Sequence, residues 1–357
     1  MNSTFENYIS CNNIKPFIKS IVEALPFSGI SDSKFFLCEL KNVQFLVKLS
    51  LYKKTDPELY GRHTINHLHP IDAEISIMKQ LESDFIKTNV TPCLLEIIYH
   101  VKCDNIKSLI PKSVDCKDYV FVEKFTDFNN YIYHILCGFN ELVAHHIARD
   151  TISFTIMDRC DLTLKSYLEN YVDTNPLDVV MLKSILFQII YTIYRIRKKY
   201  PKFRHNDLHA ENIMLMFDSK FQYEPESPTF IVFKDNNTFY NVPYFGVICK
   251  IIDFGYSVLP ELNLYSNIVD DKIWKYYHID NDIINLFCGI YDILKNKAPV
   301  AINIMEKIDP SNSYLHCDSE YMRNTHVTTI EEMINSDSWN VYKSKKIHAG
   351  RIYKIFS

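Results

Sequence analysis

Asp207, Asn212 and Asp253 are the residues of this 357-residue chain whose types and order suit a defined chemistry. The first two lie in Arg204-His-Asn-Asp-Leu-His-Ala-Glu-Asn-Ile-Met-Leu215, the third in Lys250-Ile-Ile-Asp-Phe-Gly255. Phosphoryl transfer needs little covalent help from a protein. It needs an acceptor hydroxyl held in line, and cations that bridge and neutralise the phosphates. Asp207 can orient and deprotonate a hydroxyl, and Asn212 can reach a magnesium ion from the same loop. Asp253, closing an apolar strand and preceding a glycine, can bind the metal from the opposite side.

Elements on both sides have to hold these residues. Leu177 to Tyr200 reads as a long amphipathic helix that delivers the 204–215 loop and is stopped by Pro201. Between Asn212 and Asp253, Thr229-Phe-Ile-Val-Phe-Lys, an Asp235-Asn-Asn turn and Thr238-Phe-Tyr-Asn-Val-Pro read as an inserted β-hairpin at about 218–246. Asp282 heads a later helix, either as its N-cap or as an anchor for the 204–207 backbone. Thr328 to Trp339 reads as a capped closing helix.

Upstream, residues 1 to about 25 read as a helical preface. Phe35-Phe-Leu-Cys-Glu-Leu and Val43-Gln-Phe-Leu-Val-Lys-Leu read as two strands joined by a short polar turn. Lys48 falls inside the second strand, a costly place for an unpaired ammonium. A helix follows, with Ile71, Ile75, Met78 and Leu81 at helical spacing and Glu74 available as a partner. A snorkelling surface lysine and an exposed glutamate are the plainer account of that pair. Residues 93–135 mix strand-like runs, such as Tyr119-Val-Phe-Val-Glu-Lys-Phe, with polar breaks. Ser153 to Met157 reads as a buried strand that leads through a polar hinge to a helix beginning near Asp161. His63, His67 and His69 suit a polar loop better than a metal site.

The composition is that of a globular protein, with 47% apolar and 23% charged residues and only 7 glycines. A formal charge of -4 and a pI near 6.4 argue against binding dominated by nucleic-acid phosphates. Ten cysteines are scattered singly, without a Cys-x-x-Cys pair, which favours buried free thiols in a reducing compartment over a zinc site. No secretory signal is visible at the start, and the apolar run Met181 to Ile196 reads as too short and too charged to cross a bilayer. A cytoplasmic location, without membrane contact, is the expectation. The Ile, Asn, Lys, Tyr and Phe bias suggests an AT-rich genome.

Taken in order, Lys48, Glu74, Asp207, Asn212 and Asp-Phe-Gly255 match the kinase signature set. From about residue 25 to 340 the chain resembles the eukaryotic-type protein kinase superfamily. Its likeness is closest to haspin-type kinases, through Asp207-Leu-His-Ala-Glu-Asn212, the hairpin insertion, the Lys-Ile-Ile-Asp strand and a missing Ala-Pro-Glu. Similar sequences of this composition also occur among kinases of large DNA viruses, which would place the protein in host cytoplasm or virion.

The resemblance implies an α+β, bilobal kinase fold: an extension at 1–24, a small β-rich lobe at 25–157 and a larger, mainly helical lobe at 158–357. It implies a serine/threonine protein kinase using ATP and Mg2+, with Asp207 as base and with Asn212 and Asp253 as metal ligands. Lys48 would grip the phosphates with Glu74 holding it, His205 would brace the loop, and backbone near Met157 would face the adenine. Gly29 is the single glycine between Pro26 and Lys34, few for a loop that covers phosphates. Asn206 replaces the usual Arg, which implies no activation by loop phosphorylation, and His209 replaces the usual Lys. The Asp-Leu-His-x-x-Asn form is also similar to kinases of small hydroxyl compounds such as aminoglycosides and choline. A nucleotide-binding pseudokinase scaffold is the third reading.

Overall fold

The computed structural model describes residues 5–25, 33–54, 68–116, 128–171, 176–266, 280–312, 328–347 and 350–357. Two compact units emerge, one from residues 1–62 with 96–159, the other from 63–95 with 160–357.

The first unit is built on five antiparallel strands: β1 (Ile21–Leu25), β2 (Ser33–Leu40), β3 (Val43–Lys53), β4 (Ile97–Asp104) and β5 (Ala148–Asp158), in the order β1-β2-β3-β5-β4. Lys41 and Asn42, at φ 53° and 63°, make the tight β2–β3 turn, whose two left-handed residues match the twist of the strands they join. Side chains alternate between faces along each strand. Phe45, Val47, Leu49 and Leu51 of β3 and Ile152, Phe154 and Ile156 of β5 point to one buried face. There they pack with Ile132, Ile135, Leu136 and Phe139 of the helix Phe128–Ala144. Lys48 lies on the other face.

The N-terminal segment departs from the helical preface. Phe5, Glu6 and Lys15–Lys19 are helical as expected, but Ile21–Leu25 joins the sheet as an edge strand. The cysteines also depart from expectation. Cys11 is bonded to Cys103 of β4 and Cys116 to Cys137, and Cys288 is disulfide-bonded too. Free thiols remain at Cys38, Cys93, Cys160 and Cys249. Sequence spacing hides such pairs because the partners meet only after the sheet forms. In the chain-entropy picture, closing the 92-residue separation of Cys11 and Cys103 restricts the unfolded chain by about 4–5 kcal/mol.

The second unit carries the helices Pro70–Leu81, Pro176–Lys199, Asn281–Leu294, Pro299–Ile308 and Ile330–Asn335. Its strands are β6 (Leu162–Thr163), β7 (Ile213–Phe217), β8 (Thr229–Asp235), β9 (Thr238–Pro243), β10 (Val247–Ile251), β11 (Val258–Leu259), β12 (Leu264–Tyr265), β13 (Lys343–Ser344) and β14 (Arg351–Phe356). They form sheets β10-β7-β6, β11-β12 and β13-β9-β8-β14. The expected hairpin is β8–β9, and the chain's last strand pairs parallel with β8 to extend it. The Leu164–Glu169 helix starts slightly later than expected, capped by Thr163, whose hydroxyl accepts from Ser166 N–H at 3.1 Å.

The Pro176–Lys199 helix matches the expected Leu177–Tyr200 span to within a residue at each end. By length and apolar character it could pass for a membrane span, yet Leu182, Ile185, Leu186, Phe187, Ile189 and Ile190 are all buried in this unit. Its buried polar residues find partners, as buried polar groups must. Ser184 Oγ donates to Pro243 O at 2.9 Å, Thr192 Oγ1 pairs with Thr91 Oγ1 at 2.7 Å, and Gln188 Oε1 accepts from Cys249 N–H at 3.2 Å. That helix therefore sets the position of β9 and β10. The architecture is mixed α/β with several sheets, compatible with a kinase-like fold.

Candidate active site

Asn212 and Asp253 are brought together by one ladder. β7 follows Asn212 and β10 precedes Asp253, and the two strands run antiparallel with Ile213 opposite Ile251. The pairing continues one step further, where Ile252 N–H donates to Asn212 O at 3.0 Å. All five residues of β10 are buried, so the strand is fixed on both faces. Asp253 then turns sharply, with φ at 61°. A non-glycine residue in this left-handed region is uncommon, and such residues concentrate at functional sites. Asp253 Oδ1 accepts the Gly255 N–H at 3.3 Å, and a Cβ on Gly255 would sit 3.0 Å from that same oxygen. Glycine at 255 keeps the carboxylate's position clear.

Asp207 is held from the loop side. The Asn212 Nδ2 group donates to Asp207 O at 2.8 Å and to Asp207 Oδ2 at 3.1 Å, which leaves the Asn212 amide oxygen outside these bonds. His209 Nε2 lies 3.6 Å from Asp207 Oδ1, and His209 Nδ1 accepts the Glu211 N–H at 3.2 Å. The adjacent Asp207 carboxylate, with Glu211 and Asp253, raises the His209 pKa above the ordinary histidine value, against the opposing effect of burial. Glu211 is in turn paired with Lys165 at 2.5 Å, a bond that lowers its pKa. Asp207 and His209 remain a little over one-third exposed, at 37% and 38% of side-chain surface, open enough for a substrate to approach.

Behind the loop the contacts are buried. His205 is fully enclosed, and its Nε2–H donates to Ile252 O at 2.9 Å while its ring lies 5.0 Å from that of Phe254. Asp282 resolves the choice left open by the sequence. Asp280 occupies the N-cap position without a side-chain cap bond, and the Asp282 carboxylate accepts the backbone N–H groups of His205 (2.7 Å) and Asn206 (2.8 Å). Asn206, at φ 64°, donates its side chain to Tyr256 O at 2.8 Å. Ser257 Oγ donates to His205 O, and Ser266 Oγ reaches both Phe254 O and Ser257 O. Sequence reasoning missed Asn206 and these serines as organisers of the loop. The signal for Asn206 was present, because asparagine tolerates left-handed backbone.

The other candidate residues are placed as follows. Glu74 is buried, 7% exposed, on the Pro70–Leu81 helix, which is capped by His69 through the Ile71 N–H. His63 and His67 lie outside the described residues, as do Gly29 and the Tyr119–Phe125 run. In the first unit, Lys48 pairs with Thr155 across β3–β5, and Leu46 pairs with Met157. By alternation, Lys48 and Met157 therefore share one face of that sheet. Met157 is also paired with Ile97, so strand pairing holds it from both sides and ends only at Asp158.

The donor chemistry fits Mg2+. Asn212 offers an amide oxygen and Asp253 a carboxylate. No group of three or more His, Cys, Asp or Glu side chains suited to a metal occurs among the described residues. An amide oxygen and a carboxylate suit magnesium, which keeps several waters and binds through one or two carboxylates plus substrate phosphates.

No protein-family model matches the chain. It is similar, at 26% identity over 339 residues, to the Acanthamoeba polyphaga mimivirus protein named "Putative serine/threonine-protein kinase R301", over 86% of this chain and 81% of that protein. A second mimivirus protein, "Putative serine/threonine-protein kinase R400", is 28% identical over 252 residues, 68% of this chain. There the match spans about half of the relative's length, 46%. These similarities support a protein-kinase-like family.

Proposed function

We propose that the chain is an ATP-dependent serine/threonine protein kinase of atypical, haspin-like type, with a bilobal arrangement. In this reading the small lobe at 25–157 grips nucleotide and the lobe at 158–357 carries the chemistry. The observation that carries it is the convergence of Asp207, Asn212 and Asp253 on the β7–β10 ladder, with Asp282 holding the loop from behind. Asp207 would accept the proton of the acceptor hydroxyl and hold that oxygen in line. Its carboxylate is already oriented by Asn212, so little ordering remains to be done when substrate binds. His209, whose pKa the Asp207 carboxylate raises, would present its Nε2 beside Asp207 and the transferring group. Asn212 and Asp253 would hold Mg2+, which when bound neutralises phosphate charge. Lys48 would grip the α- and β-phosphates with Glu74 as its partner, His205 would brace the loop, and Met157 would border the adenine.

Asn206 supports a loop that needs no phosphate to order it. Where many kinases have a guanidinium, this chain has an amide bonded to Tyr256 O. Magnesium-dependent transfer of labelled γ-phosphate to a basic protein mixture tests the reading, with Lys48→Ala and Asp253→Ala as controls. Label on protein that both variants lose supports it, with turnover of roughly 1–100 s⁻¹ on a good acceptor. Transfer to aminoglycosides or choline without label on protein would replace it with a small-molecule kinase. ATP binding without any transfer would replace it with a scaffold.

A further inference from the structure

Residues 5–20 form a strap over the buried face of the first unit's sheet. Phe5 and Tyr8 pack edge-on against Phe45 of β3, each with ring centroids 5.5 Å apart. Phe17 meets Phe36 of β2 at 5.9 Å and Phe154 of β5 at 5.4 Å. The segment then enters β1, at the edge of the sheet opposite β4. Its helix Lys15–Lys19 is only five residues long, too short to be stable alone. Cys11 ties it to β4 through the disulfide to Cys103.

The two sulfurs of this bond differ in access. Cys103 is fully buried, whereas Cys11 is only half-buried and lies beside Lys102 O at 3.3 Å. An incoming thiolate can therefore reach Cys11 but not Cys103. The nearby Cys38 does not compete. It is fully enclosed, and burial pushes its thiol up to about 12, so it stays protonated.

We propose that Cys11–Cys103 is a redox latch, closed by thiol–disulfide exchange and opened by a reductant at Cys11, that fastens the N-terminal strap across the sheet carrying Lys48. In closing, the Cys11 and Cys103 thiols lose two protons and two electrons to an oxidised thiol partner such as glutathione disulfide, which leaves as two thiols. In opening, a thiolate attacks Cys11 Sγ, the S–S bond breaks and Cys103 leaves as a thiolate that takes up a proton. A second thiol then resolves the mixed disulfide. The latch stands apart from the phosphotransferase reading, because it concerns the strap and not the chemistry at Asp207.

The test compares the full chain equilibrated with glutathione disulfide and with excess glutathione. Mass mapping without reduction identifies the Cys11–Cys103 peptide, and backbone hydrogen exchange is followed over residues 5–19. The expected result is a crosslinked peptide in the oxidised sample and at least tenfold faster strap exchange in the reduced one. Oxidised Cys11→Ser protein should match the reduced wild type, and oxidised Cys116→Ser protein should keep the slow exchange. Equal strap exchange in both redox states of the wild type would overturn the latch, even if a variant failed to fold. So would the absence of the crosslinked peptide after oxidation.

Discussion

At the scale of single residues, Asp282 and His209 separate support from chemistry. Asp282 is 1% exposed, accepts two backbone N–H groups of the loop and lies 3.5 Å from Arg197. Asp282→Asn keeps the shape but turns an amide donor toward groups that already donate. A cost of about 3 kcal/mol is expected, with activity falling in parallel, measured by denaturant unfolding and by initial rates. Unchanged stability would mean that the loop is held elsewhere. His209 is partly open and takes no part in the core. His209→Gln should therefore leave the melting temperature within a few degrees and lower kcat by about tenfold, the loss of one contact to the transferring group worth about 1.4 kcal/mol. His209→Lys should restore most of that rate. Asp207, Asn212 and Asp253 were legible from type and order alone, because their chemistry prescribes both. Asp282 was ambiguous, because a helix-heading aspartate looks the same whether it caps its own helix or binds a distant backbone.

Among the elements, the last turn of the Pro176–Lys199 helix positions the loop. Three successive cations reach three different segments: Arg197 pairs with Asp280, Lys198 with Asp235 at 2.7 Å and Lys199 with Asp84 at 2.6 Å. Cations at a helix C-terminus also suit its dipole. Burial alone would raise the pKa values of Asp84 and Asp235. Hydrogen bonds from Lys199, Tyr200 and Gln80 to the first, and from Lys198 and Tyr194 to the second, outweigh it and lower both. A lowered carboxylate contributes stability that is present above its unfolded value, near 3.8, and is lost as pH falls through its folded one. The melting temperature of the wild type should drop steeply below about pH 4, and the double variant Asp84→Asn, Asp235→Asn should show a shallower acid limb. Identical acid limbs would contradict this assignment.

The β8–β9 hairpin was readable from alternation and its Asn-rich turn, whereas the parallel pairing of β14 was not. Nothing local to Arg351–Phe356 says which distant strand it joins. Phe356 is buried and stacks on Phe233 with centroids 5.6 Å apart. Phe356→Ala should cost about 3 kcal/mol of stability by chemical denaturation. A cost near zero would show that the tail adds little to this sheet.

For the whole molecule, periodicity and motif order indicated a mixed α/β chain, while long-range covalent ties escaped them. Ten single cysteines gave no hint that Cys11 and Cys103 would meet, since neither has a partner at a recognisable spacing. The helix Pro176–Lys199 taught the opposite lesson, for its hydropathy would serve a bilayer as well as a core, and only the packing of its polar residues decides. The central claim rests on the second unit. Its most direct test is magnesium-dependent transfer of labelled γ-phosphate from ATP to protein by the wild type and by Asp207→Ala, with the melting temperature of each recorded. The account predicts label from the wild type and none above background from a variant that melts within a few degrees of it. A folded Asp207→Ala protein that transfers phosphate at the wild-type rate would contradict it.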